Sequence, residues 1–234
     1  MEIIRQNEKG LSAGRNAGIK VARGEILAFV DDEVTFGPDY FLNLKKCFTG
    51  KYLDAVAGRI LKESSGEPYA RTHRAKKHAL GIHDFNYWLG GNMILARETI
   101  ERIGLFDENF GVGKYFGSGE DLDYFYRLIQ AKMRIVYCPE AFIYHPAESK
   151  INPEIGKKFL SYGRGQGAVY AKALSSKFHP VIIGQYVFSL IKPLLRYLLY
   201  ILTARPGRAT IFGRLLYGRV LGFYEYNGRK RRVS

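Results

Sequence analysis

The sequence predicts an α/β fold whose sheet is entered in its middle, joined to a basic helical tail. Three observations carry that reading. Helical and strand-like patterns alternate through residues 1–146, the arrangement of a layered α/β domain. A short apolar run, Glu25–Val30, leads straight into three acids, Asp31, Asp32 and Glu33, and α/β sheets place ligands at such strand ends. Charge is uneven: residues 1–146 hold 20 Lys and Arg against 19 Asp and Glu, whereas residues 147–234 hold 16 against 3. The expected organisation is therefore a core over 1–146 and a basic, amphipathic helical tail over 147–234.

Each element has a local reason. Residues 12–23 read as a short helix, with Ser12 as N-cap, Ala13, Ala17, Val21 and Ala22 at helical spacing, and Gly24 as the stop. Glu25–Val30 has the length and apolar character of a buried strand. Pro38 suits the first turn of a helix over Asp39–Phe48. Ala55–Leu61 follows as a second strand. Residues 62–84 are polar and basic without a period and read as a long loop, mobile over Arg71–His83. Met93–Ala96 reads as strand and Arg97–Ile103 as a short helix stopped by Gly104. Glu120–Lys132 has a helical period. Arg134–Cys138 and Ala141–Tyr144 are strand-like, separated by Pro139. The chain opens on Met1–Gln6 with no apolar strand ahead of the first helix, so the sheet is expected to lack its first strands.

Composition narrows the function classes. A hydrophobic share of 47% belongs to a globular chain. Cys47 and Cys138 are the only cysteines; they make neither a disulfide framework nor a zinc site, and two free thiols in a reducing compartment are expected. Met1 is not followed by a basic and apolar leader. The net charge of +14, concentrated in the tail, calls for an anionic partner.

Two acidic clusters can carry chemistry. Asp31, Asp32 and Glu33 repel one another unless a cation compensates. Carboxylates suit Mg²⁺ or Mn²⁺, which also bridge a diphosphate; the bland alternative is a solvated acidic turn. Further on, Gly117-Ser118-Gly119 precedes Glu120, Asp121 and Asp123. These acids fall in the first turn of a helix, where the macrodipole favours negative charge. Asp123 and Arg127 have the i,i+4 spacing of an ion pair, which leaves Glu120 and Asp121 for chemistry. A carboxylate that accepts a hydroxyl proton is a general base.

The ordered set of motifs resembles a known family. Asn7 to Gly18 (NEKGLSAGRNAG), Ala22-Arg23-Gly24-Glu25, Phe29 to Glu33, Gly90-Gly91-Asn92, Gly104 to Glu108 (GLFDE) and Gly119-Glu120-Asp121 match, in order and spacing, the inverting family 2 glycosyltransferases of the GT-A fold over about residues 5–146. The resemblance implies a Rossmann-like mixed sheet and transfer of a sugar from a nucleotide-diphosphate donor to a glycan or lipid-linked acceptor. It implies that Asp31 and Asp32 meet the donor and that Asp32, Glu33 and His145 hold Mg²⁺ or Mn²⁺. Asp121 matches the general base, with Glu120 assisting. Gly90, Gly91 and Asn92 match a loop bordering the donor sugar, and Arg15 matches a basic position near the nucleotide. The sequence departs from the pattern in two places: Glu33 stands where the family usually has Asp, and the opening strand with its turn is missing, which reads as an N-terminal truncation.

The tail reads as membrane-associating. Val181–Thr203 is long and apolar enough to span a bilayer. Its polar residues Gln185, Ser189, Lys192, Arg196 and Thr203 share one stripe, which an in-plane helix would turn to water. Arg208, Arg214, Arg219 and the closing Arg229-Lys230-Arg231-Arg232 add attraction to anionic lipid. The expected location is the cytoplasmic face of the cell membrane. Gly163, Gly165 and Gly167 follow no predicted strand, so close packing or a turn is preferred to a phosphate loop. Two rival readings stand beside the enzyme: an inactive membrane-attached fragment, and a nucleic-acid module, against which the absence of a recognised nucleic-acid motif and the apolar tail argue.

Overall fold

The computed structural model describes residues 3–49, 53–70, 75–146, 155–176 and 179–233. Part of the expected loop, residues 71–74, lies outside these.

The described chain falls into two compact units. The first holds residues 15–106 and 124–149 and contains the sheet. Its elements are α1 (Leu11–Val21, shared with the second unit), β1 (Ile26–Val30), β2 (Thr35–Phe36), α2 (Tyr40–Phe48), β3 (Ala55–Lys62), β4 (His78–Leu80), β5 (Asn92–Ala96), α3 (Arg97–Ile103), α4 (Glu120–Gln130, also shared) and β6 (Ile135–His145). The strand order is β1-β5-β3-β6-β2, with β4 also on β6. β3 and β6 run parallel and the other pairs are antiparallel, so the sheet is mixed as expected.

Three features of the sheet differ from the sequence reading. β1 is the outermost strand rather than a buried one, and of its five residues Leu27 alone is buried. Arg134–Cys138 and Ala141–Tyr144 are one strand, β6. Its parallel register against β3 shifts between Gly58 and Arg59, which absorbs Pro139, Glu140 and Ala141, and Pro is confined to such irregular positions because it donates no ladder hydrogen bond. The expected loop contains β4, whose three residues pair with Ile135–Tyr137; a strand that short leaves no periodic signal.

The core of this unit lies on both faces of the sheet. On one face Ala55, Ala57, Met93, Leu95, Phe125, Leu128 and Tyr137 pack together; on the other Tyr40, Leu44, Val56, Ile94 and Ile143 do. The alternation of Ala55, Val56 and Ala57 between these clusters follows the two-residue period of a strand. Cys47 and Cys138, expected as separate thiols, are joined as a disulfide that ties α2 to β6.

The second unit holds residues 5–14, 107–123 and 150–234, so the division does not fall at residue 146. Its frame is α5 (Ile155–Ser176), α6 (Pro180–Leu202) and α7 (Pro206–Val233). Glycines let α5 and α7 meet at backbone distance. A Cβ on Gly163 or Gly167 would strike the carbonyl oxygen of Leu215 or Arg219, and one on Gly218 or Gly222 would strike that of Leu160 or Arg164. The glycine cluster in α5 is thus a packing notch. Segment 107–123 joins this unit through specific bonds. Lys172 bridges Asp107 and Asp123 at 2.7 and 2.8 Å, and Ser118 Oγ donates to the Ser161 carbonyl at 3.0 Å.

α6 is continuous although Pro193 lies inside it. Proline lacks the N–H that would bond the carbonyl four residues earlier. That carbonyl, on Ser189, accepts instead from the Arg219 guanidinium of α7, which also donates twice to Gln166 Oε1 of α5. One arginine therefore stitches all three helices. The polar stripe expected to face water is divided accordingly: Lys192 and Arg196 are exposed, whereas Ser189 lies on the side packed against α7.

Candidate active site

In the first unit the candidate donor residues are built onto strand ends. Asp31 follows β1 and keeps a side chain 40% exposed. It lies over the Gly90–Gly91 turn: a Cβ on Gly91 would stand 2.6 Å from Asp31 Oδ2, so this approach requires glycine. Arg15 Nη2 donates to the Gly90 carbonyl at 3.0 Å, and its guanidinium lies 5.4 Å from the centre of the Phe106 ring. Phe106 is fixed in turn by Asn16, whose side-chain amide donates to the Phe106 carbonyl and accepts from its N–H, both at 2.9 Å. Phe29 meets Phe106 edge-on at 5.3 Å.

His145, the last residue of β6, points its Nε2 at Asp31 Oδ2 across 3.8 Å. Its Nδ1 lies 2.8 Å from the Pro146 carbonyl oxygen. A carbonyl only accepts, so Nδ1 carries a proton and Nε2 is the ring nitrogen turned to Asp31. A backbone bond of this kind at one ring nitrogen orients the other for a metal. A divalent ion holds such donors at about 2.1 Å, which separates two ligands of one ion by about 3–4 Å. The Asp31–His145 spacing fits. Among the described residues no three His, Cys, Asp or Glu side chains converge on one point. Asp32 and Glu33, expected as ligands, are exposed in the turn after β1, so the pair brought together is Asp31 with His145.

Asn92 has a structural duty. It is buried, its amide donates to the Arg59 and Ala141 carbonyls at 3.0 and 3.1 Å, and its Oδ1 accepts from the Tyr40 hydroxyl at 2.8 Å. Burial pushes the Tyr40 phenol up to about 12, so it remains a donor. A Cβ at Gly58 would strike the Asn92 amide. Asn92 thus fixes the strand that carries Gly90 and Gly91.

In the second unit, Glu120 and Asp121 open α4. The loop ahead of them ends on Gly119 at φ 89°, where a Cβ would come within 3.1 Å of the Gly165 backbone; both facts select glycine. Asp121 is half-buried, with Oδ1 accepting from the Leu122 N–H at 2.7 Å. Glu120 is buried, and a Cβ on Gly111 would lie 3.5 Å from its Oε2 and 2.9 Å from Ser12 Oγ. Asp123 is held by Lys172. Tyr40, Phe106 and Lys172 were missed by sequence reasoning. Phe106 stood inside a quoted motif without a role, and Lys172 had no signal, since its partners are distant in the chain.

The match to known proteins now fits these residues. The model of the family described as "Glycosyl transferase family 2" covers residues 1–116, which include Arg15, the Asp31 turn and the Gly90–Asn92 loop. Residues 1–116 thus carry the glycosyl transferase family 2 pattern. A curated relative, the pre-mycofactocin glycosyltransferase of Mycobacterium tuberculosis, is 28% identical over 187 residues, covering 76% of this chain. The match spans only 38% of that relative's length. Among solved structures, residues 1–349 of Staphylococcus aureus TarS match with TM-score 0.55 at 14% identity, over 96% of this chain and 73% of that one. The mannosyltransferase PcManGT of Pyrobaculum calidifontis, solved with GDP-Man and Mn²⁺, matches with TM-score 0.53 at 16% identity, over all of this chain and 63% of that one. The shared fold is GT-A. The chain described here therefore has the mixed α/β sheet of that fold and, among the described residues, one helix near the C-terminus long and apolar enough to cross a membrane.

Proposed function

We propose that this chain is a family 2 transferase that moves a hexosyl group from a nucleoside-diphosphate sugar to a glycan or lipid-linked acceptor, with inversion at the anomeric carbon, in cell-envelope polysaccharide synthesis at the cytoplasmic face of the membrane. The observation that carries the donor half is the Asp31–His145 pair at 3.8 Å beside the Gly90–Gly91 turn. A two-ligand cradle of this kind leaves room for diphosphate oxygens to complete a divalent ion's shell. A bound Mg²⁺ or Mn²⁺ would neutralise charge on the departing diphosphate. The GDP-Man and Mn²⁺ bound by the Pyrobaculum enzyme support the same donor class. Arg15 and the Gly90 carbonyl orient one side of the donor loop. Asp121 takes the proton of the attacking acceptor hydroxyl as the new glycosidic bond forms and the bond to the diphosphate breaks. Glu120 assists by holding the start of α4. No covalent sugar–enzyme bond is needed, so the reaction requires no activated Ser or Cys.

The test is calorimetric titration of nucleotide sugars with and without Mn²⁺. Binding should require the ion, and His145→Ala and Asp31→Asn should each weaken it about tenfold or more, in the range typical of altered metal-site ligation. Equal affinity in EDTA would remove the pair from a metal role.

A further inference from the structure

We infer that α6 is an in-plane anchor whose outward face enters the headgroup–acyl boundary of an anionic phospholipid bilayer. The inference deepens the membrane location in the proposed function and is independent of the transfer chemistry.

The two sides of α6 are unlike. Its inner side is occupied. Tyr186 stacks on Phe223 and Tyr200 on Phe212 of α7, Ile182 and Pro193 are buried, and the Ser189 carbonyl is taken by Arg219. The opposite side is open. Ile183, Val187, Ile191, Leu194, Leu198 and Ile201 are exposed, and Phe188, Leu195 and Leu202 are 65, 61 and 84% exposed. At 3.6 residues per turn these fall, with Leu199, in one arc of about 160°. No charged or amide side chain interrupts the arc. Continuous exposed apolar surface on this scale marks a contact with another apolar phase.

Charge identifies that phase. Lys192 and Arg196 are exposed along one border of the arc. Arg205, Arg208 and Arg214 are exposed around the turn into α7 and along it. Two of these guanidiniums are held by rings at the α6–α7 seam: Arg196 lies 5.2 Å from the Phe212 ring centre and Arg208 5.6 Å from that of Tyr200. From residue 155 to the C-terminus the one acid is Glu225, and Arg164 takes both its oxygens at 2.6 and 3.0 Å. The surface therefore presents an apolar strip beside cations with no competing carboxylate, the complement of acyl chains beneath anionic headgroups.

The packed side decides the orientation. α6 is long enough to cross a bilayer, but crossing would place the mid-helix Lys192 and Arg196 in hydrocarbon and pull α7 with them. Lying in the plane, α6 buries the apolar arc and leaves both cations at headgroup level.

The experiment uses the intact chain without nucleotide sugar, so its outcome is separate from that of the donor titration. Vesicles of phosphatidylcholine, alone or in equal parts with phosphatidylglycerol, are floated with the protein. It should float with the mixed vesicles and be released by alkaline carbonate. Lys192→Gln with Arg196→Gln should lower the partition coefficient about fivefold per charge, about 25-fold together. Leu195→Asp should abolish flotation with an unchanged helical circular dichroism spectrum, because Leu195 is 61% exposed. Phe188→Trp should be quenched by lipids brominated near the headgroup end of the acyl chain, the native Trp88 being buried. Failure of the intact chain to float would overturn the inference. So would resistance to carbonate, which marks a span, and so would a dimer that Leu195→Asp dissociates without any vesicle binding, which assigns the face to a second copy.

Discussion

Replacing Lys172 with methionine tests whether one ammonium holds the beginning of the helix that carries Asp121. Lys172 Nζ lies 2.7 Å from Asp107 Oδ2 and 2.8 Å from Asp123 Oδ1. The Lys172, Asp107 and Asp123 side chains are 21, 24 and 4% exposed. Methionine preserves the stem and deletes the charge, so two carboxylates lose their counterion and one of them has almost no access to water. Removing one partner of a buried pair costs about 3–5 kcal/mol. Asp107 regains some hydration, which puts the loss near the lower end, about 3 kcal/mol. In a chain of this length that lowers the melting temperature by about 6–12 °C. The pH dependence gives a second reading. Burial alone would raise the Asp107 pKa, but the hydrogen bond and charge of Lys172, with bonds from Asn109, outweigh it and hold the carboxyl below its usual range. A depressed folded pKa stabilises above the unfolded value of about 3.9 and that stabilisation is lost as pH falls through the folded value. Wild-type protein should therefore weaken as pH drops below about 4, and Lys172→Met should show a shallower acid limb. Thermal melts followed by circular dichroism across that range measure both effects. A shift smaller than about 2 °C at neutral pH, or an acid limb of unchanged slope, would refute the bridging role.

Asp121→Asn keeps the size of the side chain and removes the proton acceptor, so turnover should fall about 10²–10⁴-fold while donor affinity stays constant; near-wild-type turnover with chemistry rate-limiting would move the base elsewhere, and Glu120→Gln should cost less. Tyr40→Phe leaves the buried Asn92 Oδ1 without its donor, which should cost about 1–3 kcal/mol in urea unfolding. Because burial raises the phenol to about 12, that loss should be constant from about pH 6 to pH 9; a difference that vanished within that span would show that the hydroxyl is not the donor.

What was legible in the sequence was local. The apolar run before Asp31 gave β1 and its acidic turn, and the Arg97–Ile103 helix was read residue for residue because Gly104 stops it. The glycine-flanked acids gave the start of α4. What was not legible depended on partners far along the chain. α5 hides behind Gly163, Gly165 and Gly167, which weaken a helix on propensity alone; the value of Gly163 and Gly167 lies in the close backbone of Leu215 and Arg219 in α7, and that of Gly165 in the close approach of Ser118. The joining of Cys47 to Cys138 spans 91 residues. Lys172 meets Asp107 from 65 residues away. Asn92 was legible as part of a motif but not as the amide that ties β5 to β3 and β6. In the candidate site, Asp31 and His145 were each singled out, yet their mutual approach comes from β1 and β6, which are not neighbours in the sheet.

The position of β1 at the rim of its sheet has a practical consequence for handling the protein. Its outward N–H and C=O groups have no ladder partner among the described residues, and beside it runs an apolar groove of about 360 Å³ lined by Ile26, Ala28, Phe41, Leu44, Lys45, Phe48 and Thr49. Phe41 is 65% exposed there. An uncovered edge flanked by apolar side chains is a template on which any extended segment can be laid. Lys45 is the one charge on the groove's lining that discourages stacking. Purified at high concentration, such a chain is prone to associate rim to rim, and a short extended peptide with alternating apolar residues is the natural additive to keep it dispersed.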